Sequence, residues 1–347
     1  MRRRILLGGL GAVFLMLVIG CGLSGRKKRE NASCTRQIFA MDTVMDFTAY
    51  GENAEEAVEA AVKEVERLDA LWSAGNASGE ISRINREGEG EISEDTRILL
   101  GRAREIYLDT GGLFDFTVYP LMELWGFPDR NYHVPSREEI EEVLPLADAG
   151  RVRLEGAFLQ LGEGQQMDLG GIAKGYASGR VMDIFREYGI TSGIVSLGGN
   201  VQTLGLRPDG KKWRVGIRDP QNARGEILAV LEAEDQAVIT SGGYERYFEE
   251  DGETYIHIVN PGTGYPADGD LASVTVVSED GTLADALSTA LYLMDYEGAF
   301  SYWREHRDAF DMILIGKNGE IFVTEGLESS FRGEAGYSVL HGDGSRS

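Results

Sequence analysis

The chain has 347 residues, 42% of them apolar and 26% charged, a composition that excludes disordered, collagen-like and coiled-coil classes. Its 57 acidic residues outnumber 34 basic ones and leave a net charge of −23, which makes nucleic acid a poor partner. An anionic small ligand meets the same repulsion and must be held by a local cation, a metal or backbone amides.

Met1-Arg2-Arg3-Arg4, an apolar run from Ile5 to Ile19, and Gly20-Cys21 follow the order basic, apolar, small, cysteine. The run is shorter than the roughly 20 apolar residues of a membrane span and contains Gly8, Gly9 and Gly11, as a secretory signal does. Leu17-Val18-Ile19-Gly20-Cys21 resembles the bacterial lipobox, in which cleavage precedes a cysteine acylated on sulfur. The expected layout is a lipoprotein signal peptide over 1–20, a lipidated Cys21 and flexible tether over 21–37, one folded domain over 38–330 and a polar tail over 331–347. An uncleaved anchor is the alternative, and either places the bulk of the protein outside the cytoplasmic membrane. With Cys21 lipidated, Cys34 stands alone and no internal disulfide is available.

Ile38 to Tyr50 alternates loosely and is rich in Thr, Val and Phe, which predicts a strand. Ala57, Ala60, Ala61, Val65 and Leu68 then form a helical stripe, and a second helix runs from an N-cap at Ser93 to Gly111-Gly112. A short helix is predicted over 136–144 and a strand over 154–161. The turn at Gly170-Gly171 opens a helix to Tyr188. Strands are expected over 193–197, 213–217, 228–231, 237–240, 255–259 and 274–277, then a helix over 283–294 and strands over 309–315 and 321–324. The pattern is an α+β fold: one compact body of mixed, largely antiparallel sheets with interleaved helices.

Four constellations could carry chemistry. Met167-Asp168-Leu169-Gly170-Gly171-Ile172-Ala173-Lys174 reads either as a tight turn or as an anion seat at a helix N-terminus with Lys174 as countercharge. Ser196-Leu197-Gly198-Gly199-Asn200 reads by itself as a hairpin turn, and beside the first pair of glycines as a further source of amide donors. Asp285 and Thr289 stand four apart on one helical face, as a hard-cation site requires, or Asp285 simply favours the helix dipole. His257, in Tyr255-Ile256-His257-Ile258, is a half-buried sheet residue or a positioned base. No Cys-x-x-Cys or His-Glu-x-x-His element points to zinc.

In order, Met41-Asp42-Thr43; Gly111 to Asp115 with Leu124-Trp125-Gly126-Phe127; Asp168 to Gly175; Leu197 to Asn200; Thr240-Ser241-Gly242-Gly243-Tyr244 with His257-Ile258; and Asp285 to Thr289 resemble the ApbE-like FAD:protein FMN transferases over roughly residues 38–325. The resemblance implies a T-fold-related body that takes FAD as substrate, breaks its pyrophosphate and joins FMN through a phosphoester to a Thr or Ser hydroxyl of a client protein, with AMP leaving. It implies Mg²⁺ held by Asp285, Thr289 and the carbonyl of Gly171. Flavin contacts carry over to Met41, Leu113, Phe114, Asp115, Asp168, Lys174, His257 and Ile258, with Gly198 and Gly199 lining the cleft. His257 and Asp285 become the catalytic pair, His257 assisting deprotonation of the incoming hydroxyl. The client is expected to be a membrane-associated electron-transfer subunit on the outer face of the bacterial cell membrane, where the lipid anchor holds the enzyme. Two positions depart from the family pattern: Asp42 replaces a common Gly, and Gly75 stands where a side chain commonly packs on adenine. The alternatives are a Mg²⁺-dependent FAD pyrophosphatase, a flavin-binding lipoprotein without chemistry, and a self-flavinylating redox protein.

Overall fold

The computed structural model describes residues 32–222, 225–333 and 336–347. The predicted signal segment, Cys21 and most of the tether lie outside them. The chain opens on a hairpin, β1 (Ser33–Ala40) and β2 (Thr43–Tyr50). The single strand expected over 38–50 is thus two strands, and β1 begins inside the segment expected as tether. The two-residue turn between them has both residues in the left-handed region, Met41 at φ 47° and Asp42 at φ 59°, the backbone that a tight hairpin requires.

Then come α1 (Ala54–Trp72), α2 (Glu80–Glu87), β3 (Glu89–Glu91), α3 (Glu94–Asp109), α4 (Tyr119–Leu124) and α5 (Arg137–Val143). Sequence chemistry sets their ends. The Ser93 side chain accepts from the Thr96 N–H to start α3, and Ser136 and Glu139 form a reciprocal capping box on α5. The predicted strand over 154–161 is a hairpin, β4 (Arg153–Glu155) and β5 (Phe158–Gln160), reversed at Gly156 with φ 60°.

The second half holds α6 (Ala173–Glu187), β6 (Ser192–Leu197), β7 (Asn200–Leu204), β8 (Trp213–Arg218), β9 (Ile227–Ala233), β10 (Ala237–Gly242), β11 (Tyr247–Glu250), β12 (Glu253–Ile256) and β13 (Leu271–Ser278). It ends with α7 (Gly281–Leu293), α8 (Asp295–His306), β14 (Asp311–Gly316), β15 (Ile321–Thr324), β16 (Phe331–Gly333) and β17 (Ser338–Leu340).

Nine strands form one sheet in the order β1-β2-β6-β7-β10-β13-β14-β15-β17; its pairs are antiparallel except for β15 with β17. α1, α6 and α7 cover one face. Ala57, Val58, Ala61, Val65 and Leu68 of α1 are fully buried there, as the helical stripe requires. The three-stranded sheet β16-β9-β8 packs Val215, Ile217 and Leu231 against Val238, Val277 and Ile313 of the large sheet. A third, aromatic cluster ties α4 and α5 to the β11–β12 hairpin through Trp125, Phe127 and Phe248.

The segment expected as a polar tail is structural. β16 joins β9, and β17 adds in parallel to β15 with Val323 opposite Val339. Leu340 is completely buried, so Leu340→Ala should destabilise the protein by about 2–5 kcal/mol. Urea unfolding at neutral pH measures this, and a loss under 0.5 kcal/mol, typical of surface changes, would return 331–347 to the status of a tail.

Candidate active site

One large cleft, with a volume of about 2510 Å³, opens beside the sheet. Its walls come from the β1–β2 turn, the end of α1, residues 113–119, the turn before α6, the β6–β7 turn, the β11–β12 hairpin and the first half of α7.

At its base α6 crosses α7. Asp285 is 4% exposed; its Oδ2 accepts the Gly175 N–H at 2.8 Å and its Oδ1 accepts Asn200 Nδ2 at 2.8 Å. Among the described residues no cationic side chain pairs with it. A buried carboxylate held only by neutral donors is costly unless a cation joins it. One turn on, Thr289 Oγ1 lies 3.3 Å from Ser241 Oγ, and a Cβ placed on Gly171 would stand 3.7 Å from that same Thr289 oxygen. Gly171, more than a hundred residues before Asp285 and Thr289, thus joins them at one crossing of two helices. Their donors are a carbonyl, a carboxylate and a hydroxyl, a hard oxygen set that fits a Mg²⁺ retaining waters and taking phosphate oxygens. No group of three or more His, Cys, Asp or Glu side chains forms a metal cluster among the described residues.

Gly175 makes the crossing possible. A Cβ there would run into the Gly281 carbonyl and come within 2.6 Å of Asp285 Cβ. Gly175→Ala should therefore push α7 off α6, cost about 1–3 kcal/mol through overpacking and displace Asp285; thermal melting and activity should fall together.

Above this base the turn before α6 is held by Asp168, whose Oδ1 accepts the Gly170 N–H at 2.6 Å. Burial pushes the Asp168 carboxyl up, against that hydrogen bond and the cations of Lys174 and Arg246. Lys174 Nζ donates to the Gly170 carbonyl at 3.1 Å. The Gly198-Gly199 turn has φ values of 65° and 101°, and a Cβ on Gly198 would meet the Thr43 side chain at 2.6 Å. These glycines let the β6–β7 turn close against the β1–β2 turn. Gly75 lines the cleft with open space where a side chain would stand, the nearest atom being Ser73 Oγ at 3.9 Å.

His257 lies one residue beyond β12 rather than within a strand. The Arg246 carbonyl accepts the His257 backbone N–H at 3.0 Å and faces Nδ1 at 3.2 Å. The neutral ring therefore keeps its proton on Nδ1 and its lone pair on Nε2, which has no protein partner among the described residues. Burial, then the Arg246 cation, push the ring down to about 4, so it is neutral at pH 7.

The other predicted contacts line the same cleft. Asp115 Oδ1 accepts from the Thr117 N–H and hydroxyl and its Oδ2 from the Ala149 N–H. Its carboxylate shapes the 113–118 segment and is already engaged within the chain. Phe114 and Ile258 are buried at 5% and 6% exposure, while Leu113 and Met41 are half-buried against the core. All four reach the cleft, Ile258 alongside a backbone carbonyl bonded to the Ala267 N–H.

Three charged residues of the cleft, Arg246, Arg218 and Glu245, carry no mark in the sequence pattern. Asp42, the departure from the family's Gly, ion-pairs with Arg246 and lies 3.7 Å from Arg130. Arg218 reaches in from β8 over the Tyr244 ring at 5.6 Å. Glu245, adjoining the Ser241-Gly242-Gly243-Tyr244 motif, lines the cleft, whose walls desolvate its carboxyl and push it up to about 7, with Lys174 opposing and Asp285 reinforcing the shift.

The ApbE family model matches residues 41–314. The chain belongs to the ApbE family. An FAD:protein FMN transferase of Klebsiella pneumoniae is 32% identical over 284 residues, 80% of this chain and 87% of that protein. One of Treponema pallidum is 30% identical over 343 residues, 92% and 94% of the two chains. The crystal structure of the ApbE protein from Thermotoga maritima superimposes with a TM-score of 0.81 at 32% identity, covering 86% of this chain and 99% of that one. The ApbE fold explains why the six motifs, scattered over 250 residues, converge on one cleft.

Proposed function

We propose that the protein is an FAD:protein FMN transferase that moves FMN from FAD onto a Ser or Thr hydroxyl of a client protein and releases AMP. The observation that carries this reading is the pairing, in one cleft, of the oxygen set Gly171/Asp285/Thr289 with a neutral imidazole whose Nε2 has no protein partner among the described residues. Two relatives of 30–32% identity are named FAD:protein FMN transferases.

Asp285, Thr289 and the Gly171 carbonyl would hold Mg²⁺, which when bound supplies Lewis-acid stabilisation of charge on the pyrophosphate. Lys174 and the amides of Gly171 and Gly199 would seat phosphate oxygens in a chain whose overall field repels them, the Gly170 and Gly198 amides being given to Asp168 and to the Val44 carbonyl. His257 Nε2 takes the proton of the acceptor hydroxyl. The freed oxygen bonds to the FMN-side phosphorus, the bond from that phosphorus to the bridging oxygen breaks, and AMP departs with that oxygen. Asp168 holds the turn that faces the flavin side. A lipid on Cys21 would keep this chemistry on the outer face of the membrane, among membrane-associated electron-transfer subunits.

Full-length protein given FAD and Mg²⁺ should release AMP slowly alone and rapidly once an extracytoplasmic acceptor domain is added, with flavin fluorescence travelling with the acceptor on a denaturing gel. EDTA should abolish both. Fast AMP release with an unlabelled acceptor would make the protein a pyrophosphatase, and bound FAD without AMP would make it a carrier.

A further inference from the structure

The two ends of the nine-stranded sheet differ. At one end β17 is covered by the chain's last residues: Val339 and Ser347 exchange both backbone hydrogen bonds at 2.9 and 3.1 Å, and Leu340 bridges Arg346. At the other end β1 pairs with β2 alone among the described residues.

The pairing shows which groups of β1 are available. The Gly51 N–H donates to the Ala32 carbonyl, in line with the register Ser33–Tyr50 through Ala40–Thr43. Antiparallel pairs alternate, so residues 32, 34, 36, 38 and 40 face β2 with their backbone groups, and Ser33, Thr35, Gln37 and Phe39 turn theirs outward. The cross-strand contacts Thr35–Thr48 at 3.1 Å and Gln37–Asp46 at 2.8 Å fall on the second set, as close side chains of non-hydrogen-bonded pairs should.

Natural sheets blunt such an edge with proline, lysine or a bulge. β1 has none of these; its register is unbroken over eight residues and its one charged side chain is Arg36. The open edge runs straight into the active cleft, since Phe39, Ala40, Met41 and Asp42 all line it, and Phe39 is 69% exposed at the mouth. The cleft, at about 2510 Å³, is also far larger than the roughly 300–1,000 Å³ of a small-molecule site. A nucleotide cofactor leaves room for a second occupant.

We infer that the client protein docks by adding an extended segment as a further strand on β1, with an apolar side chain against Phe39 and the acceptor hydroxyl following into the cleft. This rests on the transferase reading, because that reaction must bring a protein hydroxyl to the buried site. Edge addition suits it physically: main-chain hydrogen bonds supply affinity with little demand on client sequence, and one apolar pocket sets the register.

The test compares Gln37→Pro with Gln37→Ala in the full chain. Proline at 37 deletes an N–H that β2 does not use and is tolerated on an edge strand, whereas alanine keeps that N–H and loses only the side chain. With FAD, Mg²⁺ and an extracytoplasmic acceptor domain, Gln37→Pro should raise the acceptor KM at least tenfold and leave the FAD KM unchanged; Gln37→Ala should stay within twofold of wild type. Hydrogen exchange provides a readout without turnover: in the Asp285→Asn protein, the acceptor domain should protect the amides of Thr35, Gln37 and Phe39. Protection without transfer by the wild type would sustain the docking and sink the transferase reading. Equal acceptor KM values for wild type and Gln37→Pro, or absence of protection, would overturn the docking. So would amides already protected without acceptor, or a wild-type dimer that Gln37→Pro dissociates, since the chain itself would then cover the edge.

Discussion

Asp285→Asn should lower the transfer rate on the order of 10³-fold while leaving the fold intact. The two shapes are the same, and the hydrogen bonds can be kept: the new amide oxygen accepts the Gly175 N–H, and the new NH₂ donates to Asn200 once that side chain turns its oxygen inward. What disappears is the negative charge that makes the site at the α6–α7 crossing a cation site. Removing one key electrostatic contact of an active site commonly costs 10²–10³ in rate, and a metal site loses affinity as well. The variant should melt within a few degrees of wild type without Mg²⁺, and Mg²⁺ should raise the melting temperature of wild type only. Calorimetry with and without Mg²⁺, beside initial rates of AMP release, reads both effects. A variant with wild-type Mg²⁺ response would remove Asp285 from the metal site.

His257→Gln should reduce turnover by about 10²–10⁴-fold, the range of a lost general base, with FAD binding retained. The pH profile distinguishes this role from a packing role. Because burial and Arg246 hold the ring down to about 4, its base form is complete at neutral pH, and the wild-type rate should not bend near the usual histidine value of about 6.5. The acid limb contributed by His257 should appear only near pH 4. Stability carries the same signature. The folded ring binds fewer protons than the unfolded one between about 4 and 6.5, so its contribution is fully present above 6.5 and is lost as pH falls towards 4, by at most about 1.4 kcal/mol per pH unit. Glu245, raised to about 7, acts in the opposite direction over an overlapping window, but it is common to both proteins and cancels in their difference. The melting temperature of His257→Gln should therefore gain on that of wild type as pH drops from 7 to 4.5. A difference independent of pH would mean that the ring is not held neutral by its surroundings.

Local pattern made much of the helical framework legible. The stripe of α1, the Ser93 cap and the short helix from Ser136 each express a rule spanning a few residues, and each stands where the residues require. The β1–β2 turn did not show, because Met41-Asp42 enters the left-handed region without the glycine that advertises such turns. β17 was illegible for another reason: it gains its place by parallel pairing with β15 across an intervening strand of another sheet. At the site, Asp285 and Thr289 were readable as one helical face, but their nearness to Gly171 depends on two helices crossing at Gly175, which no spacing encodes. Asp115 shows the converse: the resemblance marks it as a flavin contact, and the fold, which places it on the cleft wall, also uses its carboxylate to tie down Thr117 and Ala149, a role no spacing shows. Arg218, Glu245 and Arg246 meet in the cleft from β8 and the start of the β11–β12 hairpin, and only tertiary structure makes them neighbours.

The most direct test of the account is the intact mass of an acceptor domain incubated with the full-length protein, FAD and Mg²⁺, with free AMP counted in the same sample. The account predicts one AMP released for each acceptor carrying one FMN, and no adduct when the acceptor Ser or Thr is replaced by Ala or Val, respectively. An acceptor of unchanged mass beside stoichiometric AMP and free FMN would contradict it, because the cleft would then be passing the phosphoryl group to water.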